Sequence, residues 1–260
     1  MNKWIKKSIK LANSNGYLDR LFEIYPTNLG ISRNLPQDLI DKFKKDFNRK
    51  NKIESIKDLL KFPKFPIDDP YIASLRRHPV LFYKNPKTIK RISKKLFALD
   101  LDTILELSAV PKKPSRQLGH VFDDWLKKVG IRFLKEGKFK NYKRTCFLTG
   151  GNKSLKNFAT KELKIKGLKK GLDFILKIKN KYIIGEAKFL TDYGGTQNNQ
   201  FRDAISVAKI KKDNVSGVAV IDGIVWFESN AYMHKSVKSL RGVALSALYL
   251  KDFIKDLSKN

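Results

Sequence analysis

Only one cysteine and three histidines stand in 260 residues. Cys146 therefore has no partner for an intrachain disulfide and cannot form part of an all-cysteine zinc site, and His78, His120 and His234 lie too far apart in sequence to suggest a transition-metal cage. The lone thiol fits a reducing cytoplasm. No run approaches the roughly 20 apolar residues that a membrane span needs. The opening Met1-Asn2-Lys3-Trp4-Ile5-Lys6-Lys7 leads into an amphipathic basic helix expected over residues 3–12, with no apolar signal core. Neither secretion nor a membrane location is expected, and internal repeats and low-complexity tracts are absent.

Acidic residues are also scarce. The 25 Asp and Glu face 55 Lys and Arg, a formal charge of +30. A field of that size exceeds what solubility needs and draws polyanions through phosphate contacts and counterion release, so nucleic acid is the first partner to consider. The 42% hydrophobic content, with 17 Phe, supplies enough apolar surface to bury a core.

Residues 1–110 show helical periodicity and no convincing strand, and are expected to form a helical N-terminal subdomain. Pro36 opens a helix over about 36–49, and Asn85-Pro86 begins another that runs to about Leu99. Between them, Phe62 to Pro70 carries prolines at 63, 66 and 70, which forbids helix and predicts an extended loop. From 111 to 260 the pattern is mixed α and β. A helix is expected over about 116–129, strands at 131–133 and 144–148, and a helix at 153–164. A hairpin follows, formed by 172–178 and 182–189 about Lys179-Asn180-Lys181. The tail reads as a helix at 197–211, strands at 215–221 and 224–228 about Asp222-Gly223, and a helix over about 236–257.

Chemistry concentrates on the hairpin. Side chains alternate faces along a strand, so Glu186 and Lys188 project from one side and Ala187 from the other. A simple register about Asn180 brings Asp173 near residues 186–188 on the partner strand. Two carboxylates held close repel unless a hard divalent cation lies between them, and an all-oxygen ligand set favours magnesium over zinc. Such an ion polarises a scissile phosphate, and an adjacent amine can hold the attacking water.

Asp173 with Glu186-Ala187-Lys188, set in this order of elements, resembles the PD-(D/E)XK nuclease superfamily. In that superfamily an Asp on the second strand and a Glu-x-Lys on the third carry the active site. The resemblance covers roughly residues 116–228 and is nearest in style to type II restriction endonucleases; the proline that commonly precedes the first Asp is replaced by Leu172. It implies a restriction-endonuclease-like α/β core, a mixed central sheet flanked by helices, over 111–260. It also implies Mg2+ held by Asp173, Glu186 and the Ala187 carbonyl, and Lys188 positioning the nucleophile. An auxiliary acid on the preceding helix is expected from Gly119-His120-Val121-Phe122-Asp123; Asp123 matches, and Asp124 competes. The implied function is sequence-specific hydrolysis of double-stranded DNA by a homodimer, since cutting both strands of a palindrome calls for two sites about a twofold axis. A cognate methyltransferase would share its recognition site.

The segment from Thr191 to Arg202 follows the proposed catalytic strand and is rich in amides. Such side chains can contact adenine edges, so Gln197, Asn198, Asn199, Gln200 and Arg202 are candidate DNA contacts. The competing functions are a structure-selective or repair nuclease with the same site, a ribonuclease, and a nucleic-acid-binding protein without catalysis, whose binding would survive metal removal.

Overall fold

Asn2 caps the first helix, α1 (Lys3–Ala12), by accepting from the Trp4 N–H at 2.8 Å. Its buried residues Trp4, Ile5, Ile9, Leu11 and Ala12 alternate with lysines, as the sequence predicts. The computed structural model describes residues 1–26, 32–111 and 118–259. Helix α2 (Tyr17–Ile24) starts after Gly16, which adopts φ 76° to turn the chain. Both helices bury their apolar faces in the cluster that also holds Phe147, Phe174 and Trp226. Residues 1–27 thus group with 113–260 in one compact unit, and 28–112 form the other. This differs from the expected single subdomain over 1–110. Periodicity reveals that α1 and α2 have an apolar face but does not say which core receives it.

The 28–112 unit has helices and no strand among its described residues: α3 (Gln37–Asn48), α4 (Lys52–Lys61), α5 (Ile72–Arg77), α6 (Leu81–Lys84), α7 (Pro86–Leu96) and α8 (Leu101–Ala109). Pro86 occupies the first position of α7, and Asn51 and Asp100 cap α4 and α8 with their side chains. Phe43, Ile56, Leu59, Phe62, Ile92, Leu96 and Ile104 form its core. The proline-rich stretch before α5 carries no regular structure, as expected.

The other unit continues with α9 (Leu118–Lys127), β1 (Phe133–Leu134), α10 (Glu136–Asn141), β2 (Cys146–Leu148) and α11 (Asn152–Lys161). Then come β3 (Phe174–Ile178), β4 (Lys181–Leu190), α12 (Gly195–Ala208), β5 (Lys211–Lys212) and β6 (Val215–Gly223). It ends with α13 (Tyr232–Lys238), β7 (Val243–Leu245) and α14 (Leu250–Lys259). The sheet runs β1-β2-β3-β4-β6-β5, with β7 also paired to β6. Strands β2, β3 and β4 are antiparallel, whereas β4, β6 and β7 are parallel. Phe174 and Leu176 of β3 join the cluster that contains the α9 residues Phe122 and Leu126. Ile175 turns the other way, into a cluster with Phe139 of α10 and Phe158 of α11. This is the mixed sheet flanked by helices that the sequence predicts.

Two segments depart from expectation. The strand predicted over 224–228 is a 3-10 turn at Ile224–Trp226. Gly223 there has φ 91°, and a Cβ on it would lie 2.0 Å from the Leu190 carbonyl oxygen, so the chain bends sharply under the end of β4. The helix predicted over 236–257 is broken in two. Gly242 packs where a Cβ would sit 2.3 Å from the Ala208 carbonyl oxygen, and Val243–Leu245 then pairs with Val218–Val220 as a short strand. Three apolar residues inside a helix-like pattern carry no periodicity of their own, which is why β7 escapes a sequence reading. Among the described residues no helix is long and apolar enough to cross a membrane.

Candidate active site

The β3–β4 hairpin turns through two residues, Lys179 and Asn180, with Ile178 paired to Lys181. Lys179 takes φ 52°, the left-handed value that tight hairpin turns of primed type need at their first position. The expected three-residue turn about Asn180 is therefore one residue too long. The difference sets the register: the last ladder pair is Phe174 with Gly185, and Asp173, just before β3, donates its N–H to the Gly185 carbonyl at 2.9 Å, which holds it beside Glu186 and Ala187. A three-residue turn would have shifted every pair of the ladder by one residue. Gly185 is needed here: a Cβ on it would come 2.0 Å from the Phe174 ring.

The side chains converge accordingly. Asp173 Oδ2 accepts from the Ala187 N–H at 2.7 Å and lies 3.3 Å from Lys188 Nζ. Lys188 Nζ is 2.6 Å from Glu186 Oε1 and donates to the Ala187 carbonyl at 2.8 Å. Asp173 Oδ1 accepts from Asn152 Nδ2 at 2.7 Å. Asn152 opens α11 and was missed by sequence reasoning, since nothing in its local pattern marks it. The one available cue is Gly171, where a Cβ would lie 2.4 Å from that of Asn152, so the glycine lets α11 press against the Asp173 strand.

The second Glu186 oxygen, Oε2, is buried and has no hydrogen-bond partner among the described residues. Burial, with repulsion from Asp173, pushes the Glu186 carboxyl up to about 7. Burial works against the Lys188 ammonium too, but Asp173 and Glu186 outweigh it and raise the lysine above its ordinary value. Asp123 is also raised, by partial burial and then by Asp173. A cavity of about 300 Å³ opens beside Glu186, lined among others by His120, Asp123, Asn152, Asp173, Lys188 and Gln200. Asp124 faces away: it is exposed and paired with Lys127 at 2.9 Å, which lowers its carboxyl. Of the two competing helix carboxylates, the one at the cavity is Asp123.

A family model described as Tsp45I type II restriction enzyme matches residues 2–257. The chain belongs to the Tsp45I type II restriction enzyme family. Membership makes it a site-specific deoxyribonuclease that binds double-stranded DNA, and type II restriction enzymes generally use divalent metal ions. No curated protein and no solved structure matched.

For a Tsp45I-family enzyme, the question is whether these residues suit a divalent cation. Among the described residues, no three His, Cys, Asp or Glu side chains gather into a cage. The donors are instead two carboxylates and a carbonyl. Lys188 Nζ touches Asp173 Oδ2, Glu186 Oε1 and Ala187 O, so a single cationic atom already sits on three converging oxygens. The unpartnered Glu186 Oε2 lies beside them. An all-oxygen set of this charge fits a hard cation.

The amide-rich segment divides by role. Gln200 lines the cavity. Gln197 does not present a free amide: its Oε1 accepts from the Thr191 N–H at 2.9 Å and its Nε2 donates to Thr191 Oγ1 at 2.7 Å. That side chain ties the start of α12 to the end of β4. Asn199 is exposed and accepts from Arg202 at 3.3 Å, whereas Asn198 is half-buried. His234, Trp226 and Cys146 are buried structural groups.

Proposed function

We propose that this enzyme hydrolyses DNA phosphodiesters with Mg2+ held by Asp173, Glu186 and the Ala187 carbonyl. The carrying observation is the buried, unpartnered Oε2 of Glu186 beside Asp173, a carboxylate pair that a divalent cation would relieve. Bound there, magnesium supplies Lewis-acid polarisation of the phosphate and stabilises charge on the leaving oxygen. Lys188 then moves off the three oxygens into the cavity. In the metal-free site Asp173 and Glu186 hold it as an ammonium; beside the cation it would orient the attacking water and donate to the developing negative charge, with the water's proton leaving to solvent. Asn152 is a positioning residue that fixes the Asp173 carboxylate through Oδ1. Asp123 lines the cavity and would support the cation's water shell.

Gln200, Asn198, Asn199 and Arg202 are the proposed DNA contacts near the cleft, and Gln200 is the one that lines it. Cleavage of both strands calls for a homodimer. A methyltransferase of the same specificity would protect the host DNA.

The test is incubation of purified protein with unmethylated phage DNA and Mg2+, beside Glu186→Ala, Lys188→Ala and a chelator control. Discrete fragments from the wild type alone support the assignment. Binding without cleavage across several DNAs and divalent metals would overturn it, and cleavage retained by either variant would refute the residue roles.

A further inference from the structure

Helix α12 links the cavity to a second concave surface. Gln200 lines the cavity, and two residues on, Arg202 lines a groove of about 800 Å³ between α12 and α13. The groove presents Arg202, Lys209 and Arg241, all exposed, with hydroxyls from Ser206 and Ser236, and among the described residues no carboxylate lines it. The single acid of α12, Asp203, turns the other way to Lys170 at 2.5 Å. Among the described residues none of the three groove cations has a carboxylate partner, whereas Lys127, Lys140 and Lys170 of the same unit do. Like charges gathered in this way attract an anion from outside. Arg202 lies over the exposed Tyr232 ring, 5.8 Å from its centroid, which holds the guanidinium without neutralising it.

Topology sets where the groove opens. Strands β4 and β6 are parallel, so the loops that leave their C-terminal ends emerge at the edge that carries Glu186 and Lys188. The first loop leads into α12 and the second into α13, so the groove starts near that edge at Arg202 and Tyr232 and runs back along the sheet to Lys209 at the end of α12 and Arg241 before β7. Arg202 and Lys209 are seven residues apart, about 10 Å along a helix axis, a span of about three phosphates of one strand measured along the duplex.

We propose that the groove between α12 and α13 binds the phosphate backbone of the duplex whose scissile bond lies in the neighbouring cavity, through Arg202, Lys209 and Arg241. This inference rests on the nuclease reading and extends it to a backbone site outside the catalytic cleft. The groove supplies affinity and register without reading bases.

The test uses the full chain and a fluorescent random-sequence duplex in chelator, so that binding is read apart from cleavage. The combined variant Arg202→Ala, Lys209→Ala and Arg241→Ala is compared with wild type and with Lys251→Ala, Lys255→Ala and Lys259→Ala on α14, which removes the same charge elsewhere. The groove variant is expected to bind about tenfold or more weakly and to lose roughly one unit of log Kd versus log salt slope per side chain removed. The α14 variant should stay near wild type. Equal losses in both variants, or none in the groove variant, would overturn the site. Should the combined variant fail to melt like wild type, Lys209→Ala and Arg241→Ala singly carry the same comparison with a slope change of about one. Failure of the nuclease reading would show separately, as wild type that does not cut in Mg2+ whatever the groove variant does.

Discussion

Replacing Glu186 by Gln keeps the side chain's size and removes a charge that burial and Asp173 disfavour, with the carboxyl pushed up to about 7. In the unfolded chain the same carboxyl titrates near the ordinary glutamate value. Below that value it is protonated in both states and costs nothing. As pH rises towards 7 the unfolded chain releases the proton first, so metal-free wild type loses stability through that window and the loss is complete above it. The size of the shift corresponds to roughly 2–4 kcal/mol. Glu186→Gln should lack this loss, and should therefore be the more stable protein at about pH 8 and show no such gain near pH 4. Asp123 and Asp222 are also raised but are common to both proteins, so the difference between the two pH dependences isolates Glu186. Denaturant unfolding followed by tryptophan fluorescence suits the measurement, because Trp4, Trp125 and Trp226 all lie in the sheet-bearing unit and the helical unit stays silent. Adding Mg2+ at the higher pH should restore stability to wild type only. Parallel pH dependences for the two proteins, or equal stabilisation by Mg2+, would refute the argument that Glu186 is a strained carboxylate awaiting a cation.

Asp123→Asn should slow DNA cleavage about tenfold or more, whereas Asp124→Asn, which touches only Lys127 at the surface, should leave the rate unchanged; single-turnover cleavage decides between them. Gly185→Ala places a methyl group against the Phe174 ring and should cost about 1–3 kcal/mol in urea unfolding; pairing it with Phe174→Leu should recover part of that loss. Asp222→Asn should cost roughly 2–4 kcal/mol, because the fully buried carboxylate accepts from the Tyr25 hydroxyl at 2.9 Å, the Ala247 N–H at 3.0 Å and the Ser246 hydroxyl, and an amide group cannot accept from all three with both ends.

What could be read from the sequence follows how far apart the interacting residues stand. The hairpin was legible because two apolar runs flank Lys179-Asn180, and its chemistry because Glu186 and Lys188 lie two residues apart on one strand. Asp173 needed one further step, the length of the turn. A turn of three residues and a turn of two differ by one in register, Asp173 stands just past the last ladder pair, and the tight turn carries Lys179 at positive φ where Gly or Asn would have announced it. Groups whose partners are distant or unmarked were not legible. Asn152 reaches Asp173 only after α11 packs against Gly171. Gln197 looked like a free amide until β4 delivered Thr191 to it, six residues back but across a strand-to-helix turn. The burial that raises Glu186 comes from a fold closed by β6 and by helices whose placement no local pattern specifies. The same logic divides the α12 surface. Spacing alone grouped residues 197–202 as one DNA-contacting run, but the helix sends Gln197 to Thr191, Gln200 to the cavity and Arg202 to the groove. Residues adjacent in sequence thus serve three different neighbours, and the cations that share Arg202's groove, Lys209 and Arg241, are brought to it by the packing of α12 beside α13.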